Sequence, residues 1–111
     1  QKKLVFKKGR IHTFLCNQAD PVKLTKLIKE IGSDIDIIID DGSHRTKDII
    51  TSCLTLIPLV KRDVTYVIED TNRHKAATVL ENLKNYDCKV LRRSQMRSPD
   101  DRLIVVKNKQ K

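Results

Sequence analysis

At 111 residues the chain has the size of one ordinary domain, and with 39% apolar residues it can bury a core without disulfide or metal staples. No apolar run approaches the ~20 residues that span a bilayer, and Gln1-Lys2-Lys3 leads into a mixed segment, not a secretory leader, so the expectation is a cytoplasmic protein with no membrane partner. The formal charge of +9 is gathered at Lys2, Lys3, Lys7, Lys8 and Arg10, at Arg92, Arg93 and Arg97, and at Lys107, Lys109 and Lys111; it attracts polyanions and keeps nucleic acid open as a partner, although aromatics at 4% are not interleaved with it as a base-stacking platform requires.

Ile11 to Cys16 reads as a first strand. Asp20-Pro21 then supplies an N-cap and a first-turn proline for a helix whose stripe is Leu24, Leu27, Ile28 and Ile31, closed by Gly32. Ile35 to Ile39 reads as a buried strand, and Asp40-Asp41-Gly42 as a turn. Ser43 or Thr46 would cap the next helix, with Ile49, Ile50, Cys53, Leu54 and Ile57 inward, bending or ending near Pro58. Val64 to Ile68 is another strand. A third helix is predicted over Arg73 to Asn85, with Ala76, Val79, Leu80 and Leu83 inward. Lys89 to Leu91 is a short strand, Ser94 to Asp101 a polar loop, and Leu103 to Val106 a final strand.

The order β-α-β-α-β-α-β-β predicts an α/β fold. Its sheet should be partial, Rossmann-like and mostly parallel, with an antiparallel terminal strand. Cys16, Cys53 and Cys88 form no CxxC pair, so they read as buried thiols and not as a zinc site.

Two apolar runs break abruptly into carboxylates: Asp36 to His44, and Tyr66-Val67-Ile68-Glu69-Asp70. In an open α/β sheet ligands bind beyond the carboxyl ends of the strands. If the two strands are neighbours, Asp40, Asp41, Glu69 and Asp70 converge there as oxygen donors that suit a hard cation such as Mg²⁺, with His44 near enough to act as a general base. Taken singly, each motif has an ordinary explanation. Asp-Gly is common turn chemistry, acids favour helix N-termini, and a lone loop histidine is usually just exposed. His12 and His74 read as structural or surface residues.

The Asp36–His44 and Tyr66–Asp70 pair, with Leu56-Ile57-Pro58 between, resembles class I S-adenosylmethionine-dependent methyltransferases, and among them the metal-dependent macrolide sugar O-methyltransferases of the mycinamicin type. The resemblance covers roughly Arg10 to Asp70. It implies that Asp41, Glu69 and Asp70 hold Mg²⁺, that His44 deprotonates a sugar-like hydroxyl, and that Asn17, Gln18 and Asp40 lie along the S-adenosylmethionine pocket. The chain departs from the pattern at Cys16-Asn17, where the family has Gly-Asp, and at Lys61 to Val64, where it has a Gly-Gly turn. The family's first strand and glycine-rich loop find no counterpart in residues 1 to 9. The expectation is therefore a single unit, 1–111, forming the carboxy-terminal half of a methyltransferase-like domain. Such a unit would be inactive alone and its open sheet edge would invite a homo-oligomer. A basic nucleic-acid-binding module, or a degenerate methyltransferase-like module, is the alternative.

Overall fold

The computed structural model describes residues 4–92 and 100–110. A hairpin comes first. Strands β1 (Leu4–Lys8) and β2 (Ile11–Phe14) pair antiparallel around Gly9, whose φ of 58° is a turn conformation that glycine adopts without a side-chain penalty. Helix α1 (Pro21–Ile31) follows, then β3 (Ile37–Asp40), α2 (Thr46–Leu56), a 3₁₀ turn (Ile57–Leu59), β4 (Thr65–Thr71), α3 (Arg73–Asn82), β5 (Tyr86–Arg92) and β6 (Arg102–Asn108). Among the described residues, no helix is long and apolar enough to cross a membrane.

The four later strands make one mixed sheet in the order β3-β4-β6-β5. β3 and β4 are parallel, whereas β6 runs antiparallel to both β4 and β5. One pairing of three is thus parallel, so the mostly parallel sheet expected from the alternation of strands and helices becomes a mixed one. The cause is the insertion of β6 between β4 and β5, which separates two strands that run the same way. The first expected strand is also displaced. Ile11–Phe14 is zipped to Leu4–Lys8 in its own two-stranded sheet, and α1 is not a crossover between two strands of the main sheet.

Each helix start has a local cause. The Asp20 carboxylate accepts from the Val22 and Lys23 N–H groups at 3.0 and 3.3 Å, and Asn72 Oδ1 accepts from Lys75 N–H at 2.8 Å. Neither Ser43 nor Thr46 is the N-cap of α2. That position is Arg45, and Ser43 acts one step earlier by accepting the Arg45 N–H on its hydroxyl. Pro58 sits in the 3₁₀ turn that ends the helix. α3 stops at Asn82, short of the expected Asn85, because the Leu83 N–H turns back to Leu80 O. The expected loop from Ser94 lies outside the described residues as far as position 99, as do Arg93 and Arg97.

The core is one cluster between the sheet and two helices. Ile49, Cys53 and Ile57 come from α2 and its 3₁₀ extension. Ala76, Val79 and Leu83 come from α3 and its cap. Tyr66, Ile68, Ile104 and Val106 come from β4 and β6. Only Cys53 of the three free thiols is fully buried, and burial pushes it up to about 12, so it is a packing group and not a nucleophile. The helices cover one face of the sheet. On the other, Ile37 and Ile39 of β3 are each 61% exposed, so β3 is not the fully buried strand that its apolar run predicts. Ile104→Ala removes a side chain with no exposure and is expected to cost about 2–5 kcal/mol, read from urea unfolding.

The β5–β6 connection is tied by Asp101, which pairs with Arg92 Nε at 3.0 Å and with Arg102. Burial raises this carboxyl, but the two arginine hydrogen bonds together outweigh it and hold it below the usual carboxylate range. A depressed acid stabilises the fold at pH values above its unfolded pKa of ~3.9, and that contribution is lost as pH falls through the lower folded value. The stability gap between the wild type and Asp101→Asn, measured by urea unfolding at several pH values, should therefore be full near neutrality and close as pH falls below about 4.

Candidate functional site

The parallel register sets the site. Ile37 to Asp40 lie opposite Thr65 to Ile68, so Asp41 leaves β3 where Glu69 and Asp70 carry β4 onward. The two acid-rich strand ends therefore adjoin, as the sequence predicts. Along Asp40–His44 the residues divide into those that are anchored and those that are presented. Asp40 is buried, and its carboxylate accepts from Gln18 Nε2 at 3.2 and 3.3 Å and from the Gly42 N–H at 3.2 Å. Burial pushes the Asp40 carboxyl up, against those hydrogen bonds. The Ser43 N–H donates to Gln18 Oε1 at 2.7 Å, and its hydroxyl donates to Asp48 in the first turn of α2 at 2.7 Å. Between these anchors Asp41 and His44 are exposed.

Across the sheet, Glu69 and Asp70 are half-exposed at the end of β4. The β4–β6 register slips by one residue between Ile68 and Thr71, a bulge that puts one extra residue on β4. Asp70 sits in this bulge at φ 57°, and it is the one non-glycine residue with positive φ among those described. A bulge of this kind re-aims a side chain, and a left-handed backbone away from glycine costs about 1–2 kcal/mol. Both place stored strain on a residue that the sequence had singled out for its carboxylate.

Asn17 is exposed and makes a local turn, its Oδ1 accepting the Ala19 N–H at 2.9 Å. Gln18 and Asp40 instead line a cleft of about 210 Å³ beside the turn, with Ile38, Gly42, Ser52 and Tyr66. Ser52, which the sequence did not flag, is a buried hub. Its hydroxyl accepts from Gln18 Nε2 at 2.9 Å and donates to Gln18 O at 3.0 Å. Its only sequence signal is a serine one step before Cys53 on the inward stripe of α2. His12 and His74 are exposed, on β2 and in the first turn of α3.

The donor set suits a hard divalent cation in kind, since Asp41, Glu69 and Asp70 are all oxygen ligands at adjoining strand ends. Among the described residues, no three His, Cys, Asp or Glu side chains are gathered closely enough to hold a metal ion.

No family model matches the chain. Over 61 residues it is 44% identical to 8-demethyl-8-alpha-L-rhamnosyl tetracenomycin-C 2'-O-methyltransferase of Streptomyces olivaceus and 46% identical to demethylmacrocin O-methyltransferase of Streptomyces fradiae. Those residues are 55% of this chain, but only 16% and 15% of the two relatives' lengths. The MycE methyltransferase of the mycinamycin biosynthetic pathway, solved in complex with Mg and SAH, matches with a TM-score of 0.60 at 22% identity, over 82% of this chain and 30% of that one. The fold is therefore a methyltransferase-like α/β fold, and the resemblance to sugar O-methyltransferases carried by the two motifs holds.

Replacing Asp70 two ways should separate its backbone strain from its side chain. Asp70→Gly should keep or raise stability by up to about 1 kcal/mol, whereas Asp70→Val should lose about 1–2 kcal/mol, both read from thermal unfolding.

Proposed function

We infer that this chain carries the metal-and-base half of an S-adenosylmethionine-dependent O-methyltransferase site acting on a sugar hydroxyl. The observation that carries the reading is the parallel β3–β4 pairing, which makes neighbours of the strand ends that lead into Asp41 and into Glu69 and the bulged Asp70. The O-methyltransferase relatives support it from the sequence side. The match spans only 16% and 15% of the two relatives' lengths, and we read residues 1–111 as the carboxy-terminal half of a methyltransferase-like domain.

In this reading Asp41, Glu69 and Asp70 hold Mg²⁺, and Asn17, Gln18 and Asp40 frame the cofactor side. When bound, Mg²⁺ supplies positive charge beside the acceptor hydroxyl and S-adenosylmethionine supplies the methyl group. The chain's own residues do the rest. His44, three residues after Asp41 on an anchored turn, accepts the hydroxyl proton on a ring nitrogen. The apolar floor of the cleft, half-buried Ile38 and buried Tyr66, keeps water from one side.

Titration with MgCl₂, followed by amide chemical shifts, tests the metal set directly. The amides of Asp41, Glu69 and Asp70 should move first, and Asp41→Asn should weaken the response at least about tenfold. A titration in which those three amides stay silent would sink the proposal.

A further inference from the structure

The side-chain amide of Gln18 is wholly committed to the turn that presents Asp41 and His44. Its two N–H groups go to the Asp40 carboxylate and the Ser52 hydroxyl, and its oxygen takes the Ser43 N–H at 2.7 Å. A carboxylate only accepts and a backbone N–H only donates, so the amide fits in one orientation. No donor is left over for a ligand. The clamp is also tight. A Cβ on Gly42 would meet Gln18 Oε1, so any larger residue there would push the amide out of its place against the turn.

We propose that Gln18 serves the cofactor side indirectly, as a positioning residue whose amide locks the Asp40–Ser43 turn, and thereby sets Asp41 and His44, with no amide hydrogen bond left for cofactor or substrate. This rests on the metal-and-base reading above for what the turn presents. Gln18 reaches the turn from the segment before α1, 25 residues away from Ser43, so it couples the two halves of the cleft. Ser52 holds the same network from α2.

Polarity exchange tests the clamp. Gln18→Glu sets a carboxylate against Asp40 and should break it. Adding Asp40→Asn restores complementarity, because the asparagine N–H₂ can donate to the new carboxylate. The asparagine oxygen keeps the Gly42 N–H, and the new carboxylate keeps the Ser43 N–H. Two readouts are followed in the folded chain: hydrogen exchange of the Ser43 amide, and the MgCl₂ response of the Asp41 amide. Gln18→Ala and Gln18→Glu should each speed Ser43 exchange about tenfold, as expected for one lost hydrogen bond, and weaken the Mg²⁺ response about 10–100-fold. The Gln18→Glu/Asp40→Asn pair should return both toward wild type, which general destabilisation would not do. Unchanged Ser43 exchange in the single variants, or no recovery in the pair, would overturn the clamp. A wild-type chain indifferent to MgCl₂ would overturn the metal reading instead, and the exchange arm would still decide the clamp.

Discussion

Burying a carboxylate at the end of a strand is costly unless its oxygens are satisfied, and the Asp40 knot is how this chain meets that cost. Asp40 is the last residue of β3 and sits under the turn, where water reaches it poorly. Gln18 and Gly42 supply the hydrogen bonds that water would otherwise give. Once they do, the turn has little freedom left. The Ser43 backbone follows the amide, and the Ser43 hydroxyl reaches forward to Arg45 and Asp48 to start α2. One buried charge therefore fixes the exit of a strand, the entry of a helix and the two exposed residues between.

The same strand ends are treated differently on the two sides. On β3 the backbone is relaxed and held from outside by side chains. On β4 it is the backbone that is special, bulged and left-handed at Asp70. Rigid anchoring and local strain are two routes to one end, a polar side chain kept out of its default direction. The parallel pairing of β3 with β4 makes the two devices neighbours.

Local chemistry is what the sequence made legible. Asp20-Pro21 marked the start of α1, and the Ile/Val runs that break into acids marked β3 and β4, because caps and apolar periods are written within a few residues. The presence of Asp41, His44, Glu69 and Asp70 at the ends of those strands was legible for the same reason. Pairing was not. Leu4-Val5-Phe6, followed at once by Lys7-Lys8, is too short an apolar run to announce a strand until Ile11–Phe14 folds back on it. The position of β6 between β4 and β5 is a long-range choice that no local pattern records. The exposure of Ile37 and Ile39 could not be seen either, since an apolar run looks the same whether one face or both are covered. Gln18 was noticed only as part of a motif. Its partners lie 22 to 34 residues away, and hydrogen bonds at that separation leave no trace in spacing.

The place of β6 also governs the order in which the chain can assemble. β4 and β5 do not touch within the sheet, and each is bonded to β6, which emerges after both. The β3–β4 pair and its helices can form early, but β5 has no partner until Arg102–Asn108 arrives. During synthesis the half-sheet must wait with the inner edge of β4 open, and a chain stalled before that strand would hold the two acid-bearing ends together while lacking the strand that registers the bulge at Asp70.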